Sequence, residues 1–353
     1  MTLTVLSVAY PFAPVSPDTA GGAEQVLSVL DRALVAAGHR SIVVACAGST
    51  VAGRLVPVPR VLGDFDDVVR RQAEERHRAA IASTLARWPV DVVHMHGIDF
   101  HSYLPPSGPP VLATLHLPID WYPPEALRPK RQDLWLNCVS ASQHATASAL
   151  PHLLAPIENG IDVGLYNRNP LRREYALMLT RICPEKGVHL AIEAAKRAGV
   201  PLLIGGAVFS YEAHRRYFNE EVLPRLDSLR RYIGPVGLAR KRRLLAAARC
   251  VLIPSLAAET SSLVAREAAA AGTAVIAFSQ GALVDTVEHG RTGFLVSDVE
   301  EMAAAIRSLS EISRKTCRDV AQRRFRIERM AEQYFATYRR LADMRPHVAR
   351  GAA

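Results

Sequence analysis

Along the whole chain, short apolar runs rich in β-branched residues alternate with stretches in which apolar positions recur every three or four residues. Runs of the first kind fit strands buried on both faces, and stretches of the second kind fit amphipathic helices. Their alternation is the pattern of parallel sheets covered by helices. In the first part, strands are expected at Leu3–Tyr10, Ser41–Ala47, Leu55–Pro57, Val90–His96, Pro110–His116 and Leu134–Val139, with a short run near Ile157. Between the first two, Gly22–Ala37 is apolar at Val26, Leu27, Leu30 and Leu34 and stops at Gly38, which suits the left-handed residue after a helix. Asp66–Trp88 reads as a second, mostly polar helix.

The second part repeats this grammar. Strands are expected at Tyr175–Thr180, Pro201–Ile204, Tyr232–Ile233, Cys250–Pro254, Ala274–Ala277 and Gly293–Val296. Helices are expected at Val188–Ala198, Tyr211–Leu226, Ala239–Ala248, Ser262–Ala271, Leu283–His289 and Val299–Leu309, with a terminal one at Ile327–Leu341. The turn-rich stretch from Pro156 to Pro170 is the natural linker. The expected organisation is α/β, with two doubly wound Rossmann-like domains at residues 1–165 and 171–320 and a terminal segment, 321–353, whose helix crosses back to the first domain. A length of 353 residues suits two cores better than one. In such sheets ligands bind beyond the carboxyl ends of strands, where loops feed helix N-termini.

Two such loops carry chemistry. Thr180-Arg-Ile-Cys-Pro-Glu-Lys-Gly187 puts Arg181 and Lys186 beside a helix start, where free backbone N–H groups already favour an anion. A diphosphate leaving group needs such a field as its charge develops. Pro254–Ala268 places Glu259 in a loop and Glu267 on the following helix, with Thr260, Ser261 and Ser262 at the helix start. Carboxylates accept hydrogen bonds from paired sugar hydroxyls. Each motif taken singly also fits a solvated turn. The Ala20-Gly-Gly-Ala-Glu24 turn lets amides approach a phosphate closely but matches neither dinucleotide nor P-loop fingerprints. His94 and His96 share a strand face and His116 ends the next strand, yet no carboxylate or cysteine accompanies them at ligand spacing, so no metal is expected there.

Charge narrows the picture only partly. The chain holds 43 Lys and Arg against 34 Asp and Glu. Up to residue 170 there are 13 basic and 15 acidic residues, and beyond it 30 and 19. An anionic ligand therefore belongs with the second part. Residues 307–350 alone carry 12 basic and 5 acidic side chains, but Ile327, Met330, Tyr334, Tyr338 and Leu341 recur there at helical spacing, which favours the wet face of packed helices. Five scattered cysteines without a C-x-x-C pair fit reduced thiols, not zinc or disulfides. No uncharged apolar run reaches the length of a bilayer span, and the start lacks the basic region of a secretory signal. A cytoplasmic location, with room for contact at a membrane surface, is expected.

Taken in order, the motifs resemble those of the retaining family-4 glycosyltransferases of the GT-B fold (glycosyl transferase group 1). The Gly-Gly-Ala-Glu turn, Asp91-Val-Val-His-Met-His96, Thr114-Leu-His116, Val139-Ser-Ala-Ser142 and Glu158-Asn-Gly-Ile-Asp162 are similar to the successive loops of that family's first domain. Arg181…Pro-Glu-Lys-Gly187, Ile233-Gly-Pro-Val236, the Glu259–Glu267 signature and His289-Gly-Arg-Thr-Gly-Phe-Leu-Val296 are similar to its second. The resemblance implies transfer of a hexose from a nucleotide diphosphate donor, UDP-sugar ahead of GDP-sugar, by metal-independent front-face attack with no cofactor. It implies that Arg181 and Lys186 hold the diphosphate with the Gly22 amide, that Glu267 takes the ribose, and that the backbone at Val236 receives the base. Glu259 with Ser261, Ser262 and Leu263 would hold the donor sugar, His116 would contact it, and Glu24 would face the acceptor. That acceptor, small molecule, polysaccharide or lipid-linked, carries no readable code in one sequence.

Two departures stand out. Thr260-Ser261-Ser262 replaces the Pro-Phe-Gly of many members, which bears on sugar identity, and Asp285 stands where glutamate is common. A nucleotide-sugar epimerase or phosphorylase on the same fold, and a non-catalytic polyanion or nucleic-acid binder, are the competing readings, with nucleic acid not expected as a partner.

Overall fold

The computed structural model describes residues 2–19, 21–61, 66–168 and 170–344. Its strands form two six-stranded sheets, parallel at every described pairing. The first contains β1 (Thr4–Val8), β2 (Arg40–Cys46), β3 (Arg54–Val58), β4 (Val92–Met95), β5 (Val111–Leu115) and β6 (Leu134–Cys138), in the order β3-β2-β1-β4-β5-β6. The second contains β7 (Ala176–Leu179), β8 (Leu202–Gly205), β9 (Arg230–Tyr232), β10 (Cys250–Ile253), β11 (Ala274–Phe278) and β12 (Gly293–Val296), in the order β12-β11-β10-β7-β8-β9. Each sheet is therefore doubly wound about a switch point, β1/β4 in one and β7/β10 in the other, where successive crossovers leave in opposite directions and open a crevice. Strands such as Thr4–Val8 and Cys250–Ile253 are buried at every residue, as continuous apolar runs require.

The chain forms two compact units. Unit 1 takes the chain up to Val139, Gln143–Glu158 and the chain from Ile327, and unit 2 takes Ser140–Ser142 and Asn159–Arg326. The terminal helix, Ile327–Asp343, thus belongs with the first sheet, as expected of a segment that crosses back. It buries Met330, Tyr334, Tyr338 and Leu341, the stripe that its apolar spacing marks. Phe335 meets the His39 ring edge to face at 5.1 Å.

Some elements differ from the sequence reading. The run near Ile157 forms no strand. Leu154 and Ile157 donate to Leu136 and Cys138 of β6 at 2.8 and 3.0 Å, but Pro156 between them has no N–H to extend the ladder. The helix expected over Tyr211–Leu226 is α-helical only at Glu212–Tyr217. It widens to a π turn at Phe218–Val222 and leaves through a 3-10 turn at Leu223–Arg225, because Pro224 cannot donate back into a regular helix. A helix at Arg314–Arg324 is missing from the sequence reading, and the expected boundary at 320/321 falls inside it. Only Cys317, Val320 and Ala321 of it are buried, so its apolar period is faint, although Ser313 caps it by accepting from the Thr316 amide. The five cysteines are free and buried. No helix among the described residues is long and apolar enough to cross a membrane.

Candidate active site

The second switch point brings the two charged loops together. The loop after β7 makes a 3-10 turn at Pro184–Lys186 and then passes through Gly187, at φ +63°, into the helix Val188–Ala198. A Cβ on Gly187 would lie 2.2 Å from the Pro254 carbonyl oxygen, so only glycine lets this turn approach the end of β10. The approach puts Lys186 Nζ 2.5 Å from Glu259 Oε1, with both side chains mostly buried. Ser255 donates to the same oxygen. Burial pushes the Glu259 carboxyl upward, but the Lys186 charge, the hydrogen bonds from Lys186 and Ser255, and the Arg181 charge outweigh it and hold the group below the usual carboxylate range. The backbone of Glu259 is fixed as well: its carbonyl accepts from the Ala282 amide at 2.6 Å, and Gly281, at φ +52°, permits the contact.

Arg181 lies in the same loop, its guanidinium 5.9 Å from the Phe209 ring centre. Among the described residues no carboxylate forms an ion pair with it. The loop thus holds one cation engaged by Glu259 and one without an ion-pair partner.

The helix Leu263–Ala270 follows the Glu259 loop. Ser262, its entry residue, sits at φ +44°, a left-handed conformation that costs a non-glycine residue about 1 kcal/mol or more. No side chain caps this helix start, and the buried Ser261 hydroxyl has no hydrogen-bond partner. The conformation is held by Arg266, a fully buried side chain that donates to the Ser261 and Asn159 carbonyls and stacks 4.9 Å from the Phe325 ring. One turn on, Glu267 Oε1 accepts from Tyr166 at 2.7 Å and from Lys241 Nζ at 2.6 Å, while its Oε2 is buried and unpartnered. Val236 lies between β9 and the helix Leu238–Ala247, which carries Lys241, and packs against Gly205, where a Cβ would meet it at 2.6 Å. Asp285 accepts two hydrogen bonds from Ser142, from its amide at 2.9 Å and its hydroxyl at 2.6 Å.

Unit 1 presents a different chemistry at its own switch point. The helix Gly22–Ala36 begins at Gly22 without a side-chain cap, and Glu24 in its first turn is 7% exposed. A Cβ on Gly21 would meet the Glu24 carboxylate, 1.8 Å away, so glycine leaves that side chain its present place; Ala20 lies outside the described residues. His116 follows β5 and shares a 3.0 Å hydrogen bond between its Nε2 and His96 Nδ1. Burial drives His116 down to about 3 and also holds His94 and His96 well below the ordinary imidazole value, so all three rings are neutral at pH 7. His94 uses both ring nitrogens, on Tyr338 and Thr114, each at 2.7 Å, and so ties the terminal helix to β4 and β5.

Among the described residues, the ligand atoms of Cys183, Glu185 and His214 lie within 4.8 Å of one another, the one cluster with metal-ligating chemistry. Burial pushes the Cys183 thiol up to about 11, so it is protonated near neutral pH and a metal would have to displace that proton. The strand histidines are not part of such a group, because their rings bond to one another and to hydroxyls.

Sequence reasoning did not single out Ser255, Tyr166, Lys241 or Arg266. Lys241 carried a faint signal, as one of only five lysines in an arginine-rich chain. The burial of Arg266, next to Glu267, leaves no trace in the sequence.

A family model described as "Glycosyl transferases group 1" matches residues 173–311, and one described as "Glycosyltransferase Family 4" matches residues 20–163. A phosphatidyl-myo-inositol mannosyltransferase from Mycolicibacterium smegmatis is 27% identical over 90% of this chain and 88% of its own length. A D-inositol 3-phosphate glycosyltransferase from Nocardioides is 38% identical over a shorter stretch, 33% of this chain and 27% of its own. Among solved structures, sucrose-phosphate synthase from Thermosynechococcus elongatus superposes with a TM-score of 0.80 at 20% identity, covering 97% of this chain and 100% of that one. The glycosyltransferase AviGT4 of avilamycin A biosynthesis gives 0.73 at 24% identity over 97% and 99%. Anabaena HepE in complex with UDP and glucose gives 0.73 at 19% over 95% and 99%.

Proposed function

We propose, from the premise that this chain belongs to the family-4 glycosyltransferases of the GT-B fold and is a hexosyltransferase, that it moves a hexose from a nucleotide diphosphate donor to a hydroxyl acceptor with retention of configuration and without a metal. The observation that carries the donor reading is a pair of buried polar atoms left unmet on one loop and helix: Ser261 Oγ and Glu267 Oε2. A buried acceptor or donor without a partner costs about 1–3 kcal/mol, so a site that keeps two of them is organised for groups that arrive with a ligand. Glu267 Oε1 is already satisfied by Tyr166 and Lys241, which orient the carboxylate and leave Oε2 for a ribose hydroxyl.

The diphosphate belongs between Arg181, Lys186 and the start of the helix Leu263–Ala270. Two cations and a helix N-terminus supply the positive field that stabilises a departing diphosphate, the task a divalent metal performs elsewhere. Glu259 Oε1 holds Lys186, leaving Oε2 to accept from a donor-sugar hydroxyl. His116, neutral at pH 7, can give or take a hydrogen bond but brings no charge to a ligand. No carboxylate nucleophile is assigned, so the acceptor hydroxyl attacks from the face the diphosphate leaves, and a phosphate oxygen takes its proton. UDP is the favoured nucleotide, in keeping with the HepE complex, and GDP the next.

The experiment is isothermal titration with UDP, GDP, ADP and TDP, followed by turnover of the matching sugar donors. One nucleoside diphosphate should bind at micromolar to millimolar Kd, with affinity lost in Glu267→Gln. Binding of long polyanions in preference to every nucleoside diphosphate would overturn the reading in favour of a polyanion binder.

A further inference from the structure

Unit 2 holds a second concentration of positive charge that donor chemistry does not use. A cavity of about 990 Å³ is lined by Arg168, Arg173, Arg231, Arg240 and Arg243, with Glu174 as its one carboxylate. Glu174 does not neutralise them, because its carboxylate is held at 2.5 Å by Arg249, which lies outside the lining. Arg240 makes a single long hydrogen bond, 3.5 Å, to the Ile233 carbonyl. The other four guanidiniums have no ion-pair partner among the described residues. All five arginines are exposed, whereas Tyr175, Leu203, Leu244 and Ala247, also in the lining, are half-buried.

The cavity is distinct from the donor constellation. Tyr175 and Pro201 immediately precede β7 and β8, so it opens at the amino ends of these strands. Arg181, Lys186 and Val236 all follow carboxyl ends. Five like charges around one concavity repel within a Debye length of about 8 Å, and a bound anion relieves that repulsion. Guanidinium groups fit phosphate oxygens in bidentate pairs, and the volume is at the upper end of the roughly 300–1,000 Å³ of ligand pockets.

We propose that this cavity binds a phosphate-bearing amphiphile, its phosphate oxygens on the arginine rim and its adjoining carbons on the surface of Leu203 and Leu244. The inference does not depend on the donor assignment, since it concerns other residues at the other end of the sheet. Such a ligand is either a soluble phosphorylated molecule or the headgroup region of an anionic bilayer.

Dihexanoyl phosphatidic acid, kept below its micelle concentration, would be titrated into the intact protein by calorimetry. Co-sedimentation with phosphatidylcholine vesicles carrying phosphatidic acid forms the second arm. Wild type should bind the short-chain lipid, and Arg173→Gln/Arg243→Gln should weaken it at least tenfold while nucleoside diphosphate affinity stays within twofold. A second pair, Arg231→Gln/Arg240→Gln, should give the same loss, which guards against a folding defect in either. Vesicle binding that falls in the same variants supports the site and assigns the ligand to a bilayer; short-chain binding alone supports it and assigns a soluble ligand. No binding by wild type at millimolar lipid, equal binding by wild type and both variants, or parallel loss of nucleoside diphosphate affinity would overturn the proposal.

Discussion

Replacing Lys186 tests the site most sharply, and the geometry alters what the replacement should do. The ammonium lies 2.5 Å from Glu259 Oε1, with the two side chains 21% and 12% exposed. At an effective dielectric of about 20, unit charges some 4 Å apart attract by roughly 4 kcal/mol. Lys186→Met removes that attraction and leaves a mostly buried carboxylate with only Ser255 as a described donor, a change that costs about 3–5 kcal/mol of stability in comparable cases. Lost turnover in Lys186→Met alone would therefore mix a weakened fold with a lost cation. Glu259→Gln keeps the shape and removes the charge, and the double variant removes the pair together. Neutral replacement of a whole buried pair is often nearly free, so the double variant should recover about 2–3 kcal/mol relative to the sum of the single losses.

Urea unfolding of the four proteins at pH 7 yields this coupling, and steady-state turnover with the donor identified by titration yields the catalytic half. Lys186→Met and the double variant should both lose about 10²–10³ in kcat, because a cation facing the departing diphosphate is absent in each. Glu259→Gln should lose turnover while nucleoside diphosphate Kd stays level or tightens, since Lys186 no longer divides its hydrogen bonds between a carboxylate and a phosphate. A coupling below about 0.5 kcal/mol would mean that the ion pair is not formed. Turnover of Lys186→Met within threefold of wild type would remove this lysine from the diphosphate site.

Glu267→Gln should weaken nucleoside diphosphate binding by about 10–100-fold with a smaller change in kcat at saturating donor; an unchanged Kd in titration would remove the ribose role. Prolonged chelation with EDTA, checked by elemental analysis, should leave turnover unaltered, and restoration of a lost activity by added magnesium would refute the metal-free mechanism. Ser262→Gly should raise the melting temperature by a few degrees through relief of the φ +44° conformation, and a fall would show that the hydroxyl contributes more than the strain costs. Acid should destabilise unit 1. His77 is lowered to about 4 and His116 to about 3, both chiefly by burial, and burial also holds His94 and His96 well below the ordinary imidazole value. Below pH 6.5 the unfolded chain therefore binds more protons than the folded one, and the stability present above that pH is lost on the way down. At pH 5 the His77 and His116 rings each cost about 2 kcal/mol, and Asp99, raised by burial to about 6, gives back about 1. Calorimetry at pH 7.5 and 5 should show a transition shifting down, and an unmoved one would contradict the burial of these rings.

The sheets were legible because parallel strands buried on both faces must be nearly all apolar, and the strand Gly293–Val296 coincides with its expected limits; the amphipathic helix Val188–Ala198 does so as well. The helix Arg314–Arg324 was not, because three buried residues in eleven are too few for a period to emerge from its charges. The site divides along a similar line. A cation beside a glycine turn, or a carboxylate just past a strand, is a local pattern, so Arg181, Lys186, Glu259 and Glu267 can be picked out from their own neighbourhoods. Which cation meets which carboxylate depends on the sheet order, and spans of 73 residues from Lys186 to Glu259 and 26 from Lys241 to Glu267 are closed only in three dimensions.

Net charge shows the same separation between count and arrangement. The excess of basic residues points to the second part of the chain, but it does not tell an arginine engaged in structure from one awaiting an anion. Arg266 is wholly buried on carbonyls and an aromatic ring, Arg314 and Arg318 hold the carbonyls of Ala246 and Ala271, and Arg181 forms no ion pair among the described residues. Three of these four arginines therefore serve the fold, and the fourth is the one left for the proposed donor site. For an arginine-rich chain, charge becomes a functional argument once each guanidinium has been followed to what it touches.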